Sequence, residues 1–230
     1  MTFLISDSLP DQITRFLTEK IIRGDLHPGE WIREAQLAKT LGVSRAPIRE
    51  ALQILQRNRL VELMPRKGAR VASLSEQYVR WLYDILLELY PLIVRQMILK
   101  SDPDIIRSLD AIVKKIEKIS RSGDENAYYN ARFEYAQIGL DVTDNQLLKE
   151  ILMDFVPSIM RVQHAALKQR ISNIERTLTH LRKINDAVRT GNVEKGLTAL
   201  KALLANDMAI ALQAIRGASP GKTPRAPATA

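Results

Sequence analysis

Apolar residues in the first third of the chain recur at helical spacing in three segments, 9–23, 34–41 and 45–58. Recurrence at i, i+3, i+4 and i+7 is typical of an amphipathic helix that buries one face. In the third segment the pattern is formed by Ile48, Ala51, Leu52 and Leu55. The segments are therefore predicted to be helices, each with one face turned towards a core.

The residues that follow the second segment indicate a helix-turn-helix. Gly42 reaches a positive φ easily, Ser44 suits the N-cap of the next helix, and Pro47 falls in the first turn, where its missing N–H matters little. Two short strands, 60–64 and 69–73, are predicted around the tip 65–68. Residues 1–75 are therefore predicted to form a winged helix-turn-helix domain.

Only helical patterns remain from residue 76 onwards. The predicted helices are 76–100, 103–121, 125–140, 145–170, 172–190 and 192–215. Because short connections force neighbouring helices to run antiparallel, residues 76–215 are predicted to form an all-α antiparallel bundle, and the fold class is mainly α. Residues 216–230 lack an apolar period and are predicted to be a disordered basic tail.

Composition narrows the function classes. The chain of 230 residues contains no cysteine, which excludes disulfides, thiolate metal sites and cysteine nucleophiles. No nucleophile elbow, phosphate loop or zinc-protease motif occurs, so an enzyme is not expected. The N-terminus lacks the pattern of a signal peptide, and charges interrupt every apolar run, so we expect no membrane span and a cytoplasmic protein.

The formal net charge of +8 is concentrated in one segment. Residues 45–70 hold seven basic residues against two acidic ones, whereas residues 76–215 are nearly balanced, with 19 against 18. Local positive charge beside a helix that can enter a groove favours polyanion binding. Arg45 and Arg49, four residues apart on one face, are placed to read base edges of a duplex.

These residues resemble the GntR family of bacterial transcription regulators. The matching run is Glu34-x-x-Leu37-Ala38-x-x-Leu41-Gly42-Val43-Ser44-Arg45-x-Pro47-Ile48-Arg49-Glu50-Ala51-Leu52, followed by the wing Pro65-Arg66-Lys67-Gly68-Ala69-x-Val71. The helical part resembles the FCD type of effector domain, which marks the FadR branch, through Asn145-x-Leu147-Leu148 and Ile184-x-x-Ala187-Val188-x-x-Gly191-Asn192.

The resemblance implies a homodimer that binds a palindromic operator. It implies DNA contacts by base-reading arginines, by the N-terminus of the recognition helix and by the wing, at Ser44, Arg45, Ala46, Arg49, Arg66, Lys67, Gly68 and Arg70. One departure is Ala35, where relatives often carry an arginine. Arg33 lies two positions away and is expected to face elsewhere, so the operator sequence of relatives does not carry over.

The resemblance also raises the question of a metal. FCD domains commonly bind a divalent ion through an Asp-x-x-x-His pair and two later histidines. The first pair falls here on Asn130 and Glu134 or on Arg132 and Ala136, and the later positions fall on two leucines, Leu181 and Leu203. Since leucine cannot ligate a metal and the chain has three histidines, His27, His164 and His180, we predict no metal and no cofactor.

Polar residues inside otherwise apolar helical segments are candidates for an effector pocket. They are Arg95, Arg132, Gln137, Arg161 and His164. The alternative for each is a surface or dimer-interface position. An anionic ligand would need one or two arginines. Three aromatic residues on the helix after the wing, Trp81, Tyr83 and Tyr90, are expected to pack the domain junction or the core instead.

The function expected from the sequence is a DNA-binding transcription regulator, a repressor by preference, associated with the nucleoid. A small effector such as an organic acid or acyl compound, for instance a carboxylate, would modulate its operator affinity. The alternative is an architectural or interaction protein that binds DNA and has lost its effector response.

Overall fold

The computed structural model describes residues 8–65 and 67–217; Arg66 and the predicted tail from residue 218 onwards lie outside the described residues. The elements in chain order are α1 (Leu9–Arg23), β1 (Trp31–Ile32), α2 (Glu34–Leu41), α3 (Arg45–Arg57), β2 (Val61–Met64), β3 (Gly68–Val71), α4 (Glu76–Leu99), α5 (Pro103–Ser122), α6 (Glu125–Val142), α7 (Gln146–Ala165), α8 (Leu167–Ser172), α9 (Ile174–Thr190) and α10 (Val193–Gly217). The mainly helical fold class, with a winged N-terminal domain, is confirmed.

Three helices and a small sheet form the N-terminal domain around one core. The apolar face of α3 is fully buried, with Ile48, Ala51 and Leu55 inaccessible to solvent. The sheet has the antiparallel order β1-β3-β2, in which β2 and β3 are the predicted hairpin. The sequence interpretation missed β1, which pairs Trp31 with Arg70 and Ile32 with Ala69. This third strand attaches the wing to the start of α2.

Helices α4 to α10 share a second core. The predicted helix 145–170 is two helices, because the chain breaks at Ala166, with φ −104° and ψ 12°, between α7 and α8. The last helix extends to Gly217, two residues beyond the predicted boundary.

Helix α10 is long and apolar enough to cross a membrane by length and composition alone. It packs against α4 and α9. Slightly more than half, 56%, of its most apolar stretch is buried inside the domain. The apolar composition of α10 is therefore that of a core helix.

Helix α7 joins the two domains by packing against α1. Three of its contacts reach the N-terminal domain or the segment that follows it. Arg161 Nη2 donates to the Ala72 carbonyl at 2.7 Å, and Ser158 Oγ donates to the Asn58 carbonyl at 3.2 Å. The Arg59 guanidinium lies 4.3 Å from the centre of the Phe155 ring. The helical domain formed by α4 to α10 thus contacts the chain directly after α3 and directly after β3.

Candidate DNA interface and ligand cavity

The start of α3 is exposed and open to an anion. Gly42 ends α2 in the left-handed conformation, with φ 68°, and turns the chain into α3. Ser44 occupies the N-cap position as predicted, but its side chain accepts no capping hydrogen bond. Ser44, Arg45 and Ala46 are all exposed. The hydroxyl and the first N–H groups of α3 are therefore available to a phosphate.

A concave surface lies between the start of α3 and the wing. Its cationic lining residues are Arg33, Arg45, Arg49 and Lys67. The expectation that Arg33 faces elsewhere is wrong, because Arg33 is the N-cap of α2, not a position within the helix. Among the described residues, four cations and a single carboxylate, Glu34, line this surface, which suits a phosphate backbone and the bases beside it.

Glu34 fixes the direction of Arg49. Arg49 Nε donates to Glu34 Oε2 at 2.7 Å, while 63% of the Arg49 side chain remains exposed. Nε makes this bond, and the terminal Nη1 and Nη2 atoms, which form a fork, donate to no other described residue. Such a fork matches the O6 and N7 acceptors of guanine in the major groove. Glu34 is a positioning residue that sequence reasoning missed.

The wing residues differ in their surroundings. Gly68 has φ +95°, and a Cβ there would lie 2.5 Å from the Ile32 carbonyl oxygen, so the pairing with β1 itself requires glycine. Lys67 lies on the concave surface. Arg70 Nη2 donates instead to Glu62 Oε2 at 3.0 Å across the β2–β3 hairpin. Arg70 is thus directed to the opposite strand.

The helical domain contains a cavity of about 140 Å³, bounded chiefly by α4, α6, α7 and α10. Its walls are mostly apolar and aromatic. Tyr83, Tyr90, Tyr128 and Tyr135 contribute to them. Tyr83 and Tyr90 were expected only to pack the core or the junction, but both line the cavity, whereas Trp81 is 60% exposed.

Two arginines and one aspartate form an ionic cluster in the cavity wall, in which Arg170 and Asp207 are buried and Arg132 is partly buried. Arg170 Nη1 donates to Asp207 Oδ1 at 2.8 Å, and Arg132 Nη2 donates to Asp207 Oδ2 at 3.0 Å. Arg170 and Asp207 are each 1% exposed. Arg170 Nη2 also approaches Tyr83 Oη, at 3.3 Å. We call Arg132, Arg170 and Asp207 the ionic cluster.

Both arginines of the ionic cluster remain protonated. Burial alone would lower the pKa of each guanidinium, but the adjacent Asp207 carboxylate and nearby tyrosines outweigh it and raise the pKa. Burial raises the pKa of Tyr83 to about 12, so this phenol is neutral at physiological pH. With Asp207 as the anion between two cations, the ionic cluster carries a net charge of +1.

Several buried polar atoms beside the cavity lack a partner within the described residues. They are Tyr128 Oη, Arg132 Nε and Arg170 Nε. Buried polar groups are nearly always hydrogen-bonded, so each such atom calls for an explanation. All three residues line the cavity.

Comparison with known proteins decides the family. Residues 9–71 match the model described as bacterial regulatory proteins, gntR family. Residues 81–206, more than half of the chain, match the FCD domain. The chain is a GntR-family transcription regulator with a C-terminal FCD domain. The resemblance to the FadR-like branch is thereby confirmed, and this DNA-binding regulator is not an enzyme.

Curated relatives of the regulator include repressors. It is 27% identical over 192 residues to the gluconate operon transcriptional repressor of Bacillus licheniformis, covering 80% of this chain and 77% of that one. It is 33% identical over 137 residues to the HTH-type transcriptional regulator YdhC of Bacillus subtilis, a match spanning 59% of this chain and 61% of YdhC.

Solved structures share the fold of the regulator. McbR/YncC of E. coli superposes with a TM-score of 0.73 at 19% identity, covering 90% of this chain and 99% of that chain. A GntR regulator from Rhodococcus sp. RHA1 gives a TM-score of 0.68 at 21% identity, covering 92% and 99%. At these identities the likeness concerns the fold alone.

The cavity of the regulator does not fit the divalent metal of other FCD domains. Of the two registers left open by the sequence, the structure favours Arg132 and Ala136, which both line the cavity, since Glu134 pairs outside it with Lys115 at 2.7 Å. Leu203 lines the cavity too. Within residues 8–65 and 67–217, no group of three or more metal-ligating side chains occurs. The two guanidiniums beside the cavity would also repel a metal ion.

The candidate pocket residues separate into two sets. Arg132 and Gln137 line the cavity, where Gln137 also donates to Asp141 at 2.8 Å. The others lie elsewhere. Arg95 is exposed on α4, and Arg161 donates a hydrogen bond to the Ala72 carbonyl at the domain junction. His164 packs edge-on to Tyr129, with ring centres 6.0 Å apart. Burial and the nearby Arg23 lower the pKa of His164. These positions favour Arg132 and Gln137 as ligand contacts over the other three residues.

Proposed function

We propose that the regulator is a cytoplasmic, nucleoid-associated repressor whose operator affinity is modulated by a small organic anion bound in the FCD domain. The observation that carries this proposal is that α7 lines the cavity and also contacts the DNA-binding domain. Selection of bound sequences from a random DNA pool, with and without cell extract, tests it. A recovered palindrome whose enrichment changes with extract supports the proposal; no enrichment of any sequence contradicts it.

Two different faces of α7 serve these two contacts. Leu152, Val156, Ile159, Met160 and Gln163 line the cavity. Phe155, Ser158 and Arg161 contact the junction. At 100° per residue the two sets point in different directions around one helix. A ligand that shifts or stiffens α7 would therefore change the contacts that α7 makes directly after α3. The coupling free energy of such a change is typically about 1–3 kcal/mol.

Arg161→Met is expected to loosen this junction. The substitution leaves the Ala72 carbonyl without its donor, which costs about 1–3 kcal/mol. We expect faster amide hydrogen exchange in α3 and β3 and a separate, lower thermal transition for the N-terminal domain. Arg182→Met, which removes an exposed pair with Glu117, is the matched control. Equal exchange in both variants would show that Arg161 does not couple the domains.

The exposed face of α4 supports a homodimer in which α4 forms the interface. Trp81, Ile85, Leu92 and Leu99 are exposed apolar residues along one stripe. The same stripe contains two residues of opposite charge, Glu88 and Arg95, and both are exposed. Two antiparallel α4 helices related by a two-fold axis near Leu92 would place Glu88 close to the partner's Arg95. This self-complementary charge pattern supports a second copy of the chain as the occupant.

Charge reversal tests this interface. Glu88→Arg is expected to raise the dimer dissociation constant about tenfold or more, because two pairs of like charges then face each other. The double variant Glu88→Arg/Arg95→Glu restores opposite charges and should recover dimerisation in analytical ultracentrifugation. A double variant as weak as the single one would exclude this antiparallel arrangement.

A DNA-binding architectural protein without effector response is the second candidate. The absence of metal ligands at the described FCD positions is what favours it. The unpartnered donors beside the cavity favour the repressor. Buried polar atoms are nearly always hydrogen-bonded, so a site without a ligand is not expected to retain unsatisfied ones.

A further inference from the structure

We propose that the ionic cluster is a metal-independent receptor for the single carboxylate of a compact ligand about the size of one ring. The inference rests on the proposed effector role of the cavity and names the chemical class that the cavity takes. The two guanidiniums would supply the positive charge that binds the carboxylate, without a metal ion.

The first argument is charge. One buried cation, Arg170, and one partly buried cation, Arg132, share one buried anion, so one positive charge in the cavity wall has no counter-charge among the described residues that line it. An uncompensated buried charge is costly, and an anion that enters the cavity neutralises it. One negative charge suffices. A dianion would leave an excess negative charge among apolar walls, so phosphate monoesters are disfavoured.

The second argument is hydrogen bonding. Arg132 Nε, Arg170 Nε and Tyr128 Oη have no acceptor within the described part of the chain. Arg170 and Tyr128 are each 1% exposed, so bulk water does not reach them. A carboxylate offers two oxygens with about four lone-pair sites, which suits several convergent donors. Guanidinium forks bind this group with two parallel bonds.

The third argument is size. The cavity of about 140 Å³ is close to the roughly 150 Å³ of an engineered cavity that holds benzene. An acyl thioester of a large carrier would not fit, which narrows the earlier range of organic acids and acyl compounds. Around the charged end the walls are aromatic and aliphatic, with Tyr90, Ile93 and Leu140 among them. The ligand is therefore a compact apolar monocarboxylate.

Calorimetric titration of the full-length regulator tests the proposal. The probes are benzoate, cyclohexanecarboxylate and isovalerate, with benzamide as the neutral isostere and phenylphosphonate and inorganic phosphate as alternative anions. We expect at least one monocarboxylate to bind stoichiometrically and to raise the thermal midpoint. We also expect no binding of benzamide or inorganic phosphate, and no change when a chelator is present.

Variants assign the binding to the ionic cluster. Arg132→Met should weaken carboxylate binding by about 10- to 100-fold, the effect of losing one charge-assisted hydrogen bond. Arg132→Lys keeps the charge but loses the planar fork, and it replaces Arg132→Met in this test if the methionine variant does not fold. Asp207→Asn should tighten carboxylate binding, because it removes the anion that competes for both arginines. Arg182→Met should change nothing.

The proposal is overturned if no compact monocarboxylate binds, if benzamide binds as well as benzoate, or if binding requires added zinc. Tighter binding of phenylphosphonate than of benzoate would also overturn it. Sequence-selective DNA binding is measured separately. A regulator that binds a selected duplex and responds to cell extract, but to no carboxylate, would contradict this inference and leave the proposed function intact.

Discussion

Arg49→Ala is expected to abolish most of the discrimination between operator and random DNA. Each bidentate contact of an arginine with guanine is worth about 1–3 kcal/mol. The variant should therefore lose roughly five- to 150-fold in specific affinity at each half-site. Competition binding of a selected operator against a random duplex measures the effect, and binding to the random duplex should change much less.

Three further variants isolate the cause. Arg57→Ala removes the same charge from the far end of α3 and should leave discrimination unchanged. Lys67→Ala should weaken operator and random duplex alike and reduce the salt dependence of binding, since a wing-tip lysine contacts phosphate. Glu34→Gln should weaken discrimination without removing a cation, because a neutral amide accepts the hydrogen bond from Arg49 Nε less strongly than a carboxylate does. Equal losses for Arg49→Ala and Lys67→Ala on both DNAs would contradict the separate roles.

Asp207→Asn is expected to lower the free energy of unfolding of the helical domain by about 3–5 kcal/mol, the usual cost of removing one partner of a buried ion pair. Two guanidiniums would then share a buried pocket with no anion between them. Because a whole domain is stable by only about 5–15 kcal/mol, this is a large fraction. Urea unfolding followed by circular dichroism measures it.

The matched control is Asp186→Asn, which removes an exposed carboxylate paired with Arg189 and should cost less than about 1 kcal/mol. The triple variant Arg132→Met/Arg170→Met/Asp207→Leu should recover most of the lost stability, because it removes the charges together. An Asp207→Asn variant as stable as the parent would show that the two arginines find another anion or reach water.

The N-terminal domain was predictable because its signals are local. Gly42 adopts the left-handed conformation that its position in the turn suggested, and α3 begins at Arg45, directly after the predicted N-cap. Strand β1 was missed because two residues have no period of their own. They become a strand only through pairing with Arg70 and Ala69, far along the chain.

The ionic cluster was harder to predict, because it is assembled from three separate helices. Arg132 was identified as a polar residue in an apolar segment. Arg170 is also a polar residue beside apolar ones, but the contrast with its neighbours is weaker. Asp207 had a clear signal that was overlooked, since it is the one acidic residue between Ala199 and Ile215 in an apolar helix. Which arginines it meets is set by the packing of α6, α8 and α10, and no spacing in the sequence encodes that packing.

The two-sided character of α7 has an evolutionary consequence. The residues that shape the cavity and those that hold the DNA-binding domain are different, so mutations can alter which small molecule is sensed without disturbing how the signal is delivered. Divergence within such a lineage would then be fastest on one side of α7 and slowest on the other. Specificity for new small molecules could be acquired stepwise while the contact with the DNA-binding domain stays the same.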